Sequence, residues 1–237
     1  MIEVIIFSEA IFLLFALRKK INMKCGLGTE CIDHLSDDVK DESSIFSNIN
    51  KAFDLLPYGV LANNNILMIH GGIGTLINIL EDIEYIKRPI EVEQNLTIKE
   101  QLKIIDLLWS EYSDDIDNVD MNIEREKYKK GFIVKYVKNR LNKFMEDNKI
   151  NLLITSHQFV HGGFYTFNND KLIVVFSATK YMNEYNNTGG MITIAKKNKN
   201  KRMNILPKLI TVNQKKEHNY RRNIRLSPIR INKNNYY

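Results

Sequence analysis

Three short apolar runs, each ending in a polar tail, constrain this chain more than any other feature. Ile66-Leu67-Met68-Ile69 runs into His70-Gly71-Gly72. Leu152-Leu153-Ile154 runs through Thr155-Ser156 into His157-Gln158, and Leu172-Ile173-Val174-Val175-Phe176 runs into Ser177-Ala178-Thr179-Lys180-Tyr181. Apolar runs this short, bounded by turn-forming residues, read as buried strands. Polar residues at the carboxyl ends of such strands are where α/β folds place their chemistry. The chain therefore reads as α/β, with His70, His157 and Tyr181 as the first candidates for a site.

Helical spacing fills much of the remainder. It predicts helices over 8–20, 45–56, 74–86, 98–109 and 132–145. Ser8 caps the first and the basic run Arg18-Lys19-Lys20 closes it, while Pro57 stops the second. Leu102, Ile105, Leu108 and Trp109 share one face of the fourth, and Val134, Val137, Leu141 and Phe144 one face of the fifth. Gly26 and Gly28 predict a loop. The segment 110–130, polar and without period, predicts another. Asn63-Asn64-Asn65 and Asn168-Asn169-Asp170 read as turns, and 191–195 and 208–212 as further strands.

The 237 residues, 44% of them hydrophobic, suit a single core. The apolar stretch 2–17 is interrupted by Glu3 and Glu9, has no basic residues before it and is short for a bilayer span. It reads as core helix, and no membrane partner is expected. The net charge of +6 is gathered near the end, where Lys196, Lys197, Lys199, Lys201, Arg202, Lys215, Lys216, Arg221, Arg222 and Arg225 lie. No aromatic platform or groove-binding motif accompanies it, so it reads as a solvated tail rather than a nucleic-acid surface. Residues 1–212 are expected to form the domain and 213–237 a basic, disordered tail. Cys25 and Cys31 are too few and too close for a disulfide framework, and they lack a second pair for zinc. A reducing intracellular compartment, cytoplasm or nucleus, fits.

His70, followed by two glycines, admits two readings. It is a metal ligand on a backbone that can approach a ligand closely, or a histidine that caps its strand. His157 is similar, with Gln158 able to support it from behind. No Asp or Glu ends an apolar strand as a bridging ligand would, and a dinuclear site needs such carboxylates. Tyr181 can offer its phenol to a phosphate oxygen, or sit at the core edge. Lys130 can meet an anion as a point charge, or be solvated. His161 reads as an exposed turn residue, and His34 and His218 have no nameable partner.

Taken together, these pieces resemble the carboxyl-terminal part of the catalytic domain of the PPP-family protein serine/threonine phosphatases. His70-Gly71-Gly72 is similar to that family's His-Gly-Gly metal-ligand motif, and Arg88-Pro89 matches the Arg-Pro after it. Asp106-Leu107-Leu108-Trp109-Ser110 matches its Asp-Leu-Leu-Trp-Ser signature. Ser156-His157-Gln158 falls where the family has Arg-Ala-His-Gln, and Phe176-Ser177-Ala178-Thr179-Lys180-Tyr181 where it has Phe-Ser-Ala-Pro-Asn-Tyr. Gly71-Gly72-Ile73-Gly74, Thr179 in place of Pro, and Leu206-Pro207-Lys208-Leu209-Ile210 resemble the Kelch-repeat-linked subgroup best.

The resemblance implies a calcineurin-like metallophosphoesterase β-sandwich flanked by helices. It implies a dinuclear site of Mn, Fe or Zn, and metal-dependent hydrolysis of phosphoserine and phosphothreonine in protein substrates, with a regulatory protein as a further partner. His70 and His157 would be ligands of one metal, and Tyr181 and Lys130 phosphate or substrate contacts. The family's Gly-Asp-x-His-Gly, Gly-Asp-x-Val-Asp-Arg-Gly and Gly-Asn-His-Glu motifs do not occur in the sequence. The expectation is thus a partial fold, its amino-terminal strands missing, that lacks most of the metal site and is inactive as it stands. The alternative is a pseudophosphatase-type remnant kept for binding.

Overall fold

The computed structural model describes residues 3–6, 22–23, 26–89, 97–125, 132–196 and 203–211. The expected helix over 8–20, Cys25, Lys130 and the tail from 213 lie outside the described residues.

Strands β2 (Gly59–Ala62), β3 (Ile66–Ile69), β7 (Leu152–Thr155), β9 (Leu172–Val175) and β8 (Phe164–Phe167) form a central sheet in that spatial order. Its inner pairs, β3 with β7 and β7 with β9, are parallel, and its two edges are antiparallel hairpins. The hairpin turns are the two predicted ones. Asn63, Asn64, Asn168, Asn169 and Asp170 all take positive φ, which Asn and Asp tolerate better than bulkier residues. A second sheet sets β10 (Gly189–Lys196) between β1 (Glu3–Ile6) and β11 (Met203–Ile210).

Side-chain alternation builds two cores on the two faces of the central sheet. Ile66, Met68, Leu152, Ile154, Ile173 and Val175 point toward Ile192 and Ile194 of β10. Leu67, Ile69, Leu153, Leu172 and Val174 point the other way, into a larger core with Leu107 and Leu108 of α4 (Ile98–Trp109) and Leu141 and Phe144 of α5 (Lys138–Asp147). The fold is a β-sandwich flanked by helices, as the resemblance implied. Among the described residues, no helix is long and apolar enough to cross a membrane.

Several expectations are corrected. Residues 3–6, the start of the stretch read as helical, are a strand paired with β10. Gly28, read as loop, lies inside α1 (Leu27–Leu35), which starts after Gly26. The predicted helix over 45–56 is present as α2 (Ile45–Phe53).

Segment 74–86 is not one helix; only α3 (Glu81–Glu84) is. Side chains occupy its backbone groups instead. Asp106 Oδ2 accepts from the N–H groups of Thr75 (2.7 Å) and Leu76 (2.6 Å), and Arg140 donates to the carbonyls of Gly74 and Ile77. These bonds satisfy the chain without a helical ladder. A Cβ on Gly74 would lie 2.0 Å from the Asp106 carboxyl carbon, so only glycine passes there.

The loop read over 110–130 contains β4 (Glu111–Tyr112) and β5 (Asp120–Met121). Both pair with β6 (Val134–Tyr136), which replaces the first turn of the helix predicted over 132–145. Strands of two or three residues are too short to show a period. In α4 the buried residues are Ile104, Ile105, Asp106, Leu107 and Leu108, so the inward face is wider than the stripe read from Leu102, Ile105, Leu108 and Trp109.

Candidate functional site

The carboxyl ends of β3 and β7 lie side by side in the parallel pair, and each continues into its histidine. The N–H groups of Ser156 and His157 both donate to the carbonyl of His70, at 2.8 and 3.0 Å. That splice fixes the two imidazoles against each other. His70 Nε2 stands 3.3 Å from His157 Nδ1, and the rings meet edge to face with centroids 5.1 Å apart. His70 is buried, and its Nδ1 lies 3.0 Å from Oγ of buried Ser156.

The glycines after His70 also admit close approaches within the protein. A Cβ on Gly71 would lie 2.6 Å from the Leu108 carbonyl carbon, and one on Gly72 would lie 2.2 Å from Tyr136 Cε1. They let the strand end press against the end of α4 and against β6, and Gly71 N–H donates to the Leu107 carbonyl at 2.7 Å. The close neighbours are backbone at Gly71 and the Tyr136 and Ser110 side chains at Gly72.

That contact brings up a residue the sequence reading missed. Glu111 follows the end of α4, and its Oε1 lies 3.6 Å from His157 Nε2. The two side chains are 8% and 5% exposed. Glu111 Oε2 accepts from Asn122 Nδ2 at 2.8 Å, and Asn122 is itself buried. Gln158 supports the site through the backbone. Its amide donates to the Tyr112 carbonyl at 2.8 Å and accepts from the Tyr112 N–H at 3.1 Å. This two-point clamp ties the residue after His157 to the residue after Glu111. Strand alternation then sends Tyr112 into the core and Glu111 to the histidine. Trp109 closes the flank, its ring edge-on to His157 with centroids 5.3 Å apart.

Tyr181 sits in an aromatic group. It stacks on Phe159 at 5.8 Å and meets Phe176 edge-on at 5.0 Å, with Tyr185 at 6.3 Å. Its N–H donates to Asn187 Oδ1. His161 is exposed, as expected, and His34 does have a partner, Glu30 at 3.3 Å.

The histidine pair has the spacing of two ligands on one ion. Two nitrogens each about 2.1 Å from a tetrahedral centre lie about 3.4 Å apart. The residues present thus fit one divalent cation through His70 Nε2 and His157 Nδ1. Among the described residues, no group of three His, Cys, Asp or Glu converges as a metal cage. Glu111 faces the opposite nitrogen of His157 from the one that faces His70, so it does not complete one.

Comparison with known proteins follows the same lines. The calcineurin-like phosphoesterase family matches residues 27–161. The chain is 32% identical over 190 residues to the serine/threonine-protein phosphatase BSL2 of Arabidopsis thaliana, covering 80% of this chain and 17% of that protein. Among solved structures it is similar to a protein serine/threonine phosphatase from Saccharomyces cerevisiae described as similar to human phosphatase PP5. The TM-score is 0.62 at 21% identity, over 84% of this chain and 58% of that one, a likeness of fold. The chain thus spans about a sixth of the plant relative and just over half of the yeast one.

Proposed function

Because the chain belongs to the calcineurin-like phosphoesterase family, we propose that it is the histidine-bearing portion of a metal-dependent protein serine/threonine phosphatase. The observation that carries this is the 3.3 Å separation of two histidine nitrogens at the ends of adjacent parallel strands. His70 and His157 would hold one cation of a pair, with Mn, Fe or Zn each compatible with imidazole. When bound, such a cation supplies charge neutralisation at the phosphoryl oxygens and acidifies a water. Phosphoserine or phosphothreonine in a protein is the proposed substrate, with Tyr181 as its aromatic contact and Lys130 as an anion contact. A reducing compartment, cytoplasm or nucleus, is the proposed setting.

The motifs that would supply bridging carboxylates do not occur in these 237 residues. We therefore propose that the chain by itself binds one cation and turns over phosphoesters poorly. The same observation favours a second reading, a binding remnant that holds a phosphopeptide without hydrolysing it.

The test pairs a Mn²⁺ or Zn²⁺ titration with a phosphoserine-peptide assay. The expected result is about one cation per chain, lost in both His70→Ala and His157→Ala, with hydrolysis recovered only when the three missing motifs are restored upstream. Cation binding indifferent to both substitutions would overturn the assignment. Tight peptide binding without turnover, even with the motifs restored, would select the remnant.

A further inference from the structure

Each histidine of the pair has a second ring nitrogen, and each of these faces a buried polar side chain of this chain. His70 Nδ1 lies 3.0 Å from Ser156 Oγ, and His157 Nε2 lies 3.6 Å from Glu111 Oε1. A neutral imidazole carries one N–H and one lone pair, and the hydrogen bond made by one nitrogen decides the role of the other.

An ionised carboxylate only accepts, so Glu111 favours the His157 tautomer with its proton on Nε2. The separation is about 0.6 Å beyond a formed N–H···O bond, a gap that a small side-chain rotation closes. Nδ1 is then left bearing a lone pair toward His70. Ser156 acting as acceptor does the same for His70, placing the proton on Nδ1 and the lone pair on Nε2. Two lone pairs would then confront each other at 3.3 Å. That arrangement repels unless a cation lies between them.

The opposite arrangement is also chemically complete. There Ser156 donates to His70 Nδ1, and the imidazoles hydrogen-bond directly to each other. Glu111 is satisfied in both, because His157 keeps its proton on Nε2 when its Nδ1 accepts from His70; only Ser156 and His70 exchange roles, and the second arrangement is the one expected without a cation.

We propose that Glu111 and Ser156 are positioning residues: Glu111 holds the His157 proton on Nε2, and the Ser156 hydroxyl, able to donate or accept, lets the His70 proton move to Nδ1 so that both lone pairs face one shared cation. Glu111 is itself fixed by Asn122 at 2.8 Å and by the clamp between Gln158 and Tyr112. Partners behind metal-binding histidines change cation affinity by about 10–100-fold when removed. The inference rests on the proposed metal-binding reading, but its first test does not need a metal.

Long-range ¹H–¹⁵N spectra of the full, metal-free chain at about pH 8, above the usual imidazole range, report each tautomer directly. The expected result is a proton on Nε2 of both histidines, that of His70 moving to Nδ1 only when Zn²⁺ is added. Glu111→Ala should erase the His157 preference, and Ser156→Ala should remove the acceptor that His70 Nδ1–H needs once Zn²⁺ is bound. Glu111→Gln, which keeps an acceptor and the side-chain length, should restore the His157 pattern and guards against a misfolded alanine variant. Zn²⁺ competition against a chelating dye should then show about a 10–100-fold loss for both alanine variants. A His157 proton on Nδ1 in the wild type, or a His157 spectrum unmoved by Glu111→Ala, would overturn the inference. Metal-free spectra as expected with no Zn²⁺ binding would overturn the metal-binding reading and leave the His157 tautomer assignment standing.

Discussion

Asp106 shows how one buried carboxyl organises a segment that has no secondary structure. It is buried at the heart of α4, yet its oxygen serves the N–H groups of Thr75 and Leu76. Burial pushes its pKa up from 3.8 to about 6, against the pull of those N–H groups and of Arg140. A carboxyl raised on folding contributes stability that is present at low pH and lost as pH rises through the folded value. The stability of the wild type relative to Asp106→Asn should therefore fall between about pH 4 and pH 6, as read by urea melts across that range; a rising difference would contradict the assignment. Asp106→Ala strands two N–H groups and should cost about 1–3 kcal/mol. His70 and His157 were legible in the sequence because each terminates an apolar run. Glu111 was not, because no pattern along the chain brings it to His157. Only the approach of α4 to Gly71 and the hydrogen bonds of Gln158 do.

Elements were legible where their cause is local. The capping box of Thr97 and Glu100 starts α4 at the predicted residue, with Thr97 N–H donating to Glu100 at 2.8 Å. The asparagine turns likewise fell where predicted. Segment 74–86 was misread because its backbone is satisfied by Asp106, Arg140 and Asp82, all distant or unpredictable from spacing. The contact between β3 and the end of α4 can be probed through its glycines. Gly72→Ala would drive a methyl into Tyr136 and to 2.7 Å from Ser110 Oγ. Overpacking of this kind typically costs about 1–3 kcal/mol. It should also weaken cation binding, by moving Ser110 and the adjoining Glu111. Gly162→Ala, with nothing within 4 Å, should leave the melting temperature unchanged. Equal effects from the two would show that the close packing at Gly72 is not what matters.

At the scale of the molecule, two cores share one sheet, and β7 lies at its centre with parallel partners on both sides. Phe144→Ala in the larger core should cost about 3–5 kcal/mol in a denaturant melt, the usual range for a fully buried phenylalanine. Hydrogen exchange should be slowest at Leu153 and Ile154, which β3 and β9 flank, and faster in the outer strands β1 and β11. The reverse order would mean that the β10 sheet, and not the central one, is the stable nucleus. The central strands were legible from their continuous apolar runs, while the sandwich was expected only from the family resemblance. The small sheet of β4, β5 and β6 was not, since strands so short take their place from their neighbours alone.

The parallel pairing of β3 with β7 also has a consequence in time. The two site histidines are 87 residues apart in sequence. At translation rates of 5–20 residues per second, roughly 4–17 s separate the synthesis of the first from that of the second. Through that interval β3 has only its hairpin partner β2, and its other edge waits bare on the ribosome. A nascent chain of this protein should therefore be most vulnerable to aggregation and most in need of a chaperone between those two moments, and the imidazole pair can assemble only after β7 has docked.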